Sequence, residues 1–294
     1  MRKTYYSYRF RKEGENMKRI VTIQDISCFG KCSLTVALPI VSAMGVEAAI
    51  LPTAVLSTHT GGFKNFTFRD LSEDITKIFD HWDSEKIEFD AIYTGYLGSF
   101  EQIDLMKAFI DKKRGKSLAF VDPAMADNGK LYTGFTPEFA HHMLTLCQKA
   151  DIIVPNITEA SFMLDVPYIE DGYDKAYVED ILKKFAGMGI KTPVLTGVSL
   201  EPDKLGVAMY DSEKGEFFYY FNEKVDAKFH GTGDIFSSVV IGAIMRGMDI
   251  KDGLKLAADY VVECIKVTMP DKDKHWYGVE FEKTIPYLVK RLSQ

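Results

Sequence analysis

Short apolar runs alternate with longer amphipathic segments from residue 18 onward. The apolar runs show little polar alternation, which is typical of strands covered on both faces. They lie at 19–24, 47–52, 90–95, 117–122, 151–155 and 193–197. Helix-length segments between them lie at 34–44, 70–81, 101–114, 137–149, 157–165 and 174–188. This repetition predicts an α/β, three-layer fold with a central, mostly parallel sheet flanked by helices.

Two later stretches break the alternation. The segments GVAMYD (206–211) and EFFYYFN (216–222) are joined by four turn residues, and this pattern predicts a β-hairpin at the edge of the sheet. Further helices are predicted at 232–247, 251–269 and 279–291.

The chain is predicted to form one domain over residues 17–294, because no internal repeat, linker or change of composition divides that stretch. Residues 1–16 read MRKTYYSYRFRKEGEN, a basic and tyrosine-rich segment without apolar periodicity. They predict a flexible N-terminal extension.

Composition and charge narrow the classes of function. The 294 residues have a formal net charge of -6, so the chain offers no basic field for a nucleic-acid backbone. Nothing approaches an apolar run of about 18 residues, and no membrane span is predicted. The four cysteines form no C-x-x-C pair, which predicts reduced thiols in a cytoplasmic protein.

Polar residues stand at the ends of several predicted strands. Ligands of open parallel sheets bind beyond the carboxyl ends of the strands, so these positions predict the functional site. They are Asp25, Asp122, Asn156, Thr196 and the turn Gly231–Asp234.

The strongest local signal is the turn that opens the helix predicted at 232–247. Gly231 and Gly233 let the backbone turn sharply, so amide groups of 231–233 can point at one spot beyond the helix N-terminus. Such a nest suits a phosphoryl group, and the Asp234 carboxylate could accept a proton from a hydroxyl nucleophile beside it. The alternative is that Asp234 is an ordinary N-cap of the helix.

Further oxygen-bearing side chains follow two other strands. Asn156 and Glu159 stand three residues apart on one helix face and suit Mg²⁺, directly or through water. Their alternative role is that of a helix start, with Asn as the cap and Glu in the first turn. Asp122 precedes a proline that ends its strand and leaves the carboxylate at the sheet edge. Asp127 follows in the same loop, where solvation explains it equally well.

Other nucleotide and hydrolase motifs are absent from the sequence. A Walker A loop would need Gly at position 25 and Ser or Thr at position 32, where the chain has Asp25 and Cys32. No G-x-S-x-G elbow, H-E-x-x-H helix or G-x-G-x-x-G turn occurs.

Taken together, the motifs resemble the ribokinase-like superfamily and, within it, the pyridoxal kinase branch. The resemblance spans essentially all of residues 18–294. The family's G-x-G-D element matches Gly231-Thr232-Gly233-Asp234, its N-x-x-E element matches Asn156–Glu159, and its D-P-V-M-G-D loop matches Asp122–Asp127. The branch's first-strand, S-N-H-T and G-Y-L-G-S segments resemble Thr22–Asp25, Ser57–Gly61 and Thr94–Ser99.

The chain departs from the branch at a few positions. Asp25 stands where these kinases usually show Ser, and Lys31-Cys32-Ser33 replaces a more neutral helix entry. Ala126 replaces the Gly of the D-P-V-M-G-D loop. These departures leave the kinase interpretation intact but loosen the assignment of its substrate.

The resemblance implies ATP-dependent phosphorylation of the 5′-hydroxymethyl group of pyridoxal, pyridoxamine or pyridoxine. Asp234 would be the general base, with Gly231, Thr232 and Gly233 stabilising the transferring phosphoryl group. The residues expected at ATP are Asp122, Asn156, Glu159, Thr196 and Gly197. Those expected at the vitamin are Asp25, Thr60, Gly61 and Tyr96. Mg²⁺ is expected near Glu159 and Asp122 through water, and a homodimer is expected by analogy.

Two alternatives remain open at this stage. A hydroxymethylpyrimidine kinase shares the architecture and chemistry, and Tyr96 could stack on either ring. A nucleotide-binding regulator without catalysis is the second. It is disfavoured because Asp234, Asn156 and Glu159 are all present together.

Overall fold

The computed structural model describes residues 17–227, 229–270 and 275–292. Its strands are β1 (Arg19–Ser27), β2 (Glu47–Leu56), β3 (Phe68–Asp70), β4 (Ala91–Thr94), β5 (Leu118–Val121), β6 (Ala126–Asp127), β7 (Lys130–Leu131), β8 (Ile152–Ile153), β9 (Thr192–Val198), β10 (Lys204–Asp211) and β11 (Glu216–Glu223). Its helices are α1 (Leu34–Ala43), α2 (Ser72–Ser84), α3 (Phe100–Lys113), α4 (Pro137–Cys147), α5 (Ile157–Leu164), α6 (Lys175–Gly187), α7 (Thr232–Met245), α8 (Ile250–Thr268) and α9 (Phe281–Arg291).

The central sheet of the described chain has nine strands in the order β11-β10-β9-β8-β5-β4-β1-β2-β3. Neighbouring strands in the series β2-β1-β4-β5-β8-β9 pair in parallel, whereas β3, β10 and β11 are antiparallel to their neighbours. The short strands β6 and β7 form a separate ribbon. The predicted α/β fold with a mostly parallel sheet and an edge hairpin is confirmed.

Each predicted strand and helix has a counterpart, with ends shifted by a few residues. The sequence analysis missed β3, β6 and β7, because strands of two or three residues are too short to show a period. The extension predicted at 1–16 lies outside the described residues, and the single domain stays a prediction. Among the helices in the described ranges, none combines the length and apolar character that crossing a bilayer requires.

Two hydrophobic clusters cover the two faces of the sheet. Ile20 of β1 belongs to the cluster shared with α1, α7, α8 and α9, and Val21 belongs to the cluster on the opposite face. This alternation follows from the two-residue period of a strand. Because both faces of the sheet are covered, the carboxyl ends of the parallel strands remain as the accessible polar edge.

Candidate active site

A cavity of about 730 Å³ opens at the carboxyl ends of the parallel strands. It brings together every residue predicted for the site from the sequence. These residues are Asp25, Thr60, Gly61, Tyr96, Asp122, Asn156, Glu159, Thr196, Gly197, Gly231, Thr232, Gly233 and Asp234. They come from the carboxyl-terminal parts of β1 and β9, from the segments that follow β2, β4, β5 and β8, and from the start of α7, as the topology of an open α/β sheet requires. Their individual roles stay predictions.

Helix α7 begins against the loop that follows β1. Gly231 is its N-cap residue and has a φ of 78°, and a Cβ atom there would lie 1.8 Å from the carbonyl oxygen of Lys31. Only glycine fits this approach. No side chain of the described residues caps the helix, so the N–H groups of its first turn are available to an anion. Because Gly231 holds the N-cap position, the alternative of Asp234 as the N-cap is wrong.

The Asp234 carboxylate lies in the first turn of α7 and faces the loop after β1. Its Oδ2 accepts a hydrogen bond from the backbone N–H of Ser33 at 2.9 Å. Desolvation, the charge of Asp122 and the charge of Asp25 raise the pKa of Asp234 to about 7, although the Ser33 bond opposes this. A carboxylate with a pKa near neutrality suits general-base chemistry.

Asp122 is buried below the same helix. Ser237 donates a hydrogen bond from its hydroxyl to Asp122 Oδ2 at 2.7 Å, and burial raises the pKa of Asp122 to about 6. Ser237 follows Asp234 by three positions, so one helix face presents both side chains. The sequence analysis missed Ser237, and this spacing was the signal that could have found it.

Asn156 and Glu159 form a reciprocal capping box at the start of α5. Asn156 Oδ1 accepts from the backbone N–H of Glu159 at 2.9 Å, and Glu159 Oε2 accepts from the backbone N–H of Asn156 at 2.8 Å. Glu159 Oε1 also accepts from the N–H of Met125 at 3.2 Å, and Asn156 Nδ2 donates to the carbonyl of Ala126 at 2.8 Å. The pair therefore acts as a helix start and fixes the loop after β5. Its predicted roles at ATP and metal stay predictions.

Replacing Glu159 by Gln is expected to lower the melting temperature by a few degrees. Both carboxylate oxygens accept backbone N–H bonds, and an amide can accept only one of them, which leaves a buried donor unpaired at a cost of about 1–3 kcal/mol. Glu138→Gln, an exposed first-turn acid of α4, is the matched control. Equal melting of Glu159→Gln and wild type would contradict the structural role. A raised Mg²⁺ requirement in the same variant would support the metal role predicted from the sequence.

The residues predicted at the vitamin also line the cavity. The Tyr96 ring packs against Phe135 with centroids 5.5 Å apart, and desolvation followed by the charges of Asp25 and Asp70 raises the pKa of Tyr96 to about 12. Its hydroxyl is therefore protonated at neutral pH. A Cβ atom at Gly61 would lie 2.6 Å from the ring of His230, so this glycine allows a close approach of the histidine.

A buried hydrogen-bond chain that the sequence analysis missed links Asp25 to Asp234. Asp25 Oδ1 accepts from the Ser33 hydroxyl at 2.5 Å, and Asp25 Oδ2 accepts from the Ser27 hydroxyl at 2.8 Å. Ser33, whose backbone N–H contacts Asp234, has a φ of 55°, which is uncommon for a residue with a side chain. No local pattern could reveal this chain, because Ser33 and Asp234 are 201 positions apart.

The cavity brings several buried carboxyl groups together. Burial raises the pKa values of its carboxylates Asp25, Asp122, Glu159 and Asp234. None of these forms an ion pair with a lysine or arginine in the described part of the chain. Within the described ranges, no group of three or more His, Cys, Asp or Glu side chains is placed to hold a metal alone. Oxygen donors of this kind fit Mg²⁺ that is held mainly by water and phosphate.

A comparison with known families matches residues 37–278 to the model of phosphomethylpyrimidine kinase. The chain belongs to this family. A solved structure described as a candidate phosphomethylpyrimidine kinase from Bacteroides thetaiotaomicron is 36% identical, covers 95% of this chain and 96% of its own, and has a TM-score of 0.88. The crystal structure of pyridoxal kinase from Lactobacillus plantarum is 29% identical, covers 94% and 98%, and has a TM-score of 0.84.

The chain is also similar to curated proteins that are named as kinases of B6 vitamers. Pyridoxal kinase of Arabidopsis thaliana is 25% identical over 94% of this chain and 89% of its own length. Pyridoxine kinase of Bacillus subtilis is 28% identical over 64% of this chain and 68% of its own length. The predicted resemblance to pyridoxal kinases is confirmed, and so is the prediction of an ATP-dependent kinase.

Proposed function

We propose that this protein transfers the γ-phosphoryl group of ATP to the 5′-hydroxymethyl group of pyridoxal and of its amine and alcohol forms. The observation that carries the proposal is the Asp234 carboxylate, with a pKa of about 7, beside an uncapped helix N-terminus in a cavity large enough for two ligands. The substrate class rests on the similar Bacteroides structure, whose crystal form contains pyridoxal. The relatives named pyridoxal kinase point to the same substrate class.

The base and the phosphoryl cradle share one helix start. Asp234 accepts the proton of the hydroxymethyl group as the hydroxymethyl oxygen attacks the γ-phosphorus in line and ADP leaves, and the Ser33 N–H holds the carboxylate during this step. The N–H groups of the first turn of α7 stabilise charge on the transferring group. The raised pKa lets Asp234 take up the proton near neutral pH.

The base of the nucleotide would lie against the apolar part of the cavity lining. Apolar side chains there, including Val207, Val261 and Ile265, suit the faces of a purine. The Asn222 Nδ2 atom is buried and has no hydrogen-bond partner among the described residues, which leaves a donor for an acceptor nitrogen of the base. Thr196 and Gly197 belong to β9 and also line the cavity.

Mg²⁺ fits near Asp122, which has buried carboxylate oxygens and a hydroxyl partner in Ser237. Glu159 fits only through water, because both of its oxygens already accept backbone N–H bonds. Bound there, the ion would neutralise charge on the phosphates. The homodimer and cytoplasmic location implied by the resemblance stay predictions.

A panel of acceptors tests the proposal. Purified protein with ATP and Mg²⁺ is offered pyridoxal, pyridoxamine, pyridoxine and hydroxymethylpyrimidine, and ADP release and product mass are measured. We expect turnover of at least one B6 form with a kcat/KM at least tenfold above that for the pyrimidine. ADP formation that no acceptor stimulates would contradict the proposal.

Hydroxymethylpyrimidine is the second candidate substrate. The family description and the Bacteroides structure both carry the name phosphomethylpyrimidine kinase. Tyr96 offers its ring to either heterocycle, and Asp234 would act on the same kind of hydroxymethyl group. A higher kcat/KM for the pyrimidine than for each B6 form would establish this function instead.

A further inference from the structure

We propose that Asp25 is a positioning residue for the catalytic base: its carboxylate fixes the Ser33 hydroxyl, and Ser33 fixes Asp234 through its backbone N–H. This inference rests on the proposed function, in which Asp234 accepts the proton. It gives Asp25 a role different from the contact with the vitamin ring that the resemblance implies.

The first link of this chain is buried. Asp25 is 4% exposed, and its two oxygens accept hydrogen bonds from the hydroxyl groups of Ser33 and Ser27. Bonds from hydroxyl groups to a carboxylate are stronger than neutral ones. With one donor already on each oxygen, the carboxylate is oriented towards the protein rather than reserved for a ligand.

The second link is a backbone group in an unusual conformation. Ser33 immediately precedes α1 and has a φ of 55° and a ψ of −134°. A residue with a side chain holds such a conformation only where its surroundings impose it. The hydrogen bond that the Ser33 hydroxyl donates to Asp25 is one such constraint. In this conformation the Ser33 N–H donates to Asp234 Oδ2 at 2.9 Å.

Electrostatics provides a second effect of Asp25 on the base. The charge of Asp25 contributes to the raised pKa of Asp234, after desolvation and the charge of Asp122. Removing that charge would lower the pKa of Asp234, so activity would persist to lower pH. A purely structural role of Asp25 in packing would not move the pH profile of kcat/KM.

The experiment compares kcat and KM of Asp25→Ala, Asp25→Asn, Ser33→Ala and the double variant Asp25→Ala/Ser33→Ala. We expect Asp25→Ala to lower kcat by about 10–100-fold, equally for each accepted ring substrate, because a displaced base reacts more slowly. The KM values for ring and ATP should stay within about twofold. The double variant should lose no more than Asp25→Ala, since both changes break one chain.

Asp25→Asn separates geometry from charge. The amide keeps an oxygen for the Ser33 hydroxyl and the shape of the side chain, so this variant serves where Asp25→Ala does not fold. It should retain more kcat than Asp25→Ala, with the acidic limb of kcat/KM shifted to lower pH. Ser27→Ala is the matched control, because Ser27 bonds to Asp25 but has no contact with Asp234, and we expect a smaller loss.

The outcomes also separate this inference from the proposed function. Unequal losses among ring substrates with raised KM values would place Asp25 at the ring and overturn the inference, as would additive losses in the double variant. If wild type accepts only the pyrimidine, the proposed function fails. The inference is then tested unchanged with that substrate.

Discussion

Asp234→Asn is expected to lower kcat by about 10²–10⁴ while ATP still binds, because the amide fills the same space but accepts no proton. Its oxygen can still accept the Ser33 N–H bond, so the start of α7 should be preserved. Steady-state kinetics and nucleotide titration measure the two effects. Turnover within a few-fold of wild type would remove Asp234 from the role of base.

The pH profile supplies an independent check on the same residue. The pKa of Asp234 is raised to about 7, so kcat/KM of wild type should fall as the pH drops below that value and the base becomes protonated. The residual activity of Asp234→Asn should lack this limb. A wild-type profile that stays flat down to pH 5 would contradict the assignment.

The same substitution is expected to stabilise the fold at pH 8. The folded state holds the Asp234 proton up to about pH 7, whereas an unfolded carboxyl releases it near its ordinary value of 3.8. Stability contributed by this group therefore falls as the pH rises from about 4 to about 7. Asp234→Asn removes that loss, so its melting temperature should exceed that of wild type at pH 8, and the difference should shrink towards pH 4.

The second large effect is expected at the two glycines that flank Thr232, which should respond in opposite ways. At Gly231 a methyl group would lie 1.8 Å from the Lys31 carbonyl oxygen, at a φ of 78°. Gly231→Ala should therefore lose about 1–3 kcal/mol or more of stability, and kcat should fall because α7 shifts against the loop after β1. Thermal melting and kcat measured on the same preparation show both losses.

Gly233→Ala is the counterpart. Apart from its chain neighbours and the backbone of its own helix, no atom of the described residues lies within 4 Å of a Cβ atom built at Gly233, which lines the cavity in the first turn of α7. Alanine should keep or raise the melting temperature, since it favours the helix by about 0.5–1 kcal/mol. Its methyl group would nevertheless occupy space at the phosphoryl cradle, and kcat/KM for ATP should fall by about tenfold or more. Full activity in Gly233→Ala would mean that the phosphoryl group does not approach this turn.

Local pattern was enough to predict most of the fold. The strands β1, β5 and β9 are largely buried on both faces, and a polar residue stands at or just after the carboxyl end of each. Because the carboxyl ends of parallel strands share one edge, residues such as Asp122 and Thr196 could be placed together without knowledge of the sheet order. The cavity contains both.

Contacts between distant segments could not be predicted in this way. The bond from Ser33 to Asp234 depends on how α1 packs beside α7, and the capping role of Glu159 depends on the position of the loop at Met125. For Asn156 and Glu159 the sequence offered a metal role and a helix-start role, and only the geometry shows that the helix-start bonds are made.

The strand order has a consequence for how the protein is made. On the side of β1 away from β2, the strands β4, β5, β8, β9, β10 and β11 lie in the sheet in the order of their synthesis, so each can pair with a strand that has already been made. Asp234, the proposed general base, is made with α7, 201 positions after Ser33, whose backbone N–H it accepts. At ribosomal rates this delay is about 10–40 s. A nascent chain that stops after β11 therefore contains most strands of the sheet and the residues predicted at the vitamin, but it lacks Asp234, the proposed proton acceptor.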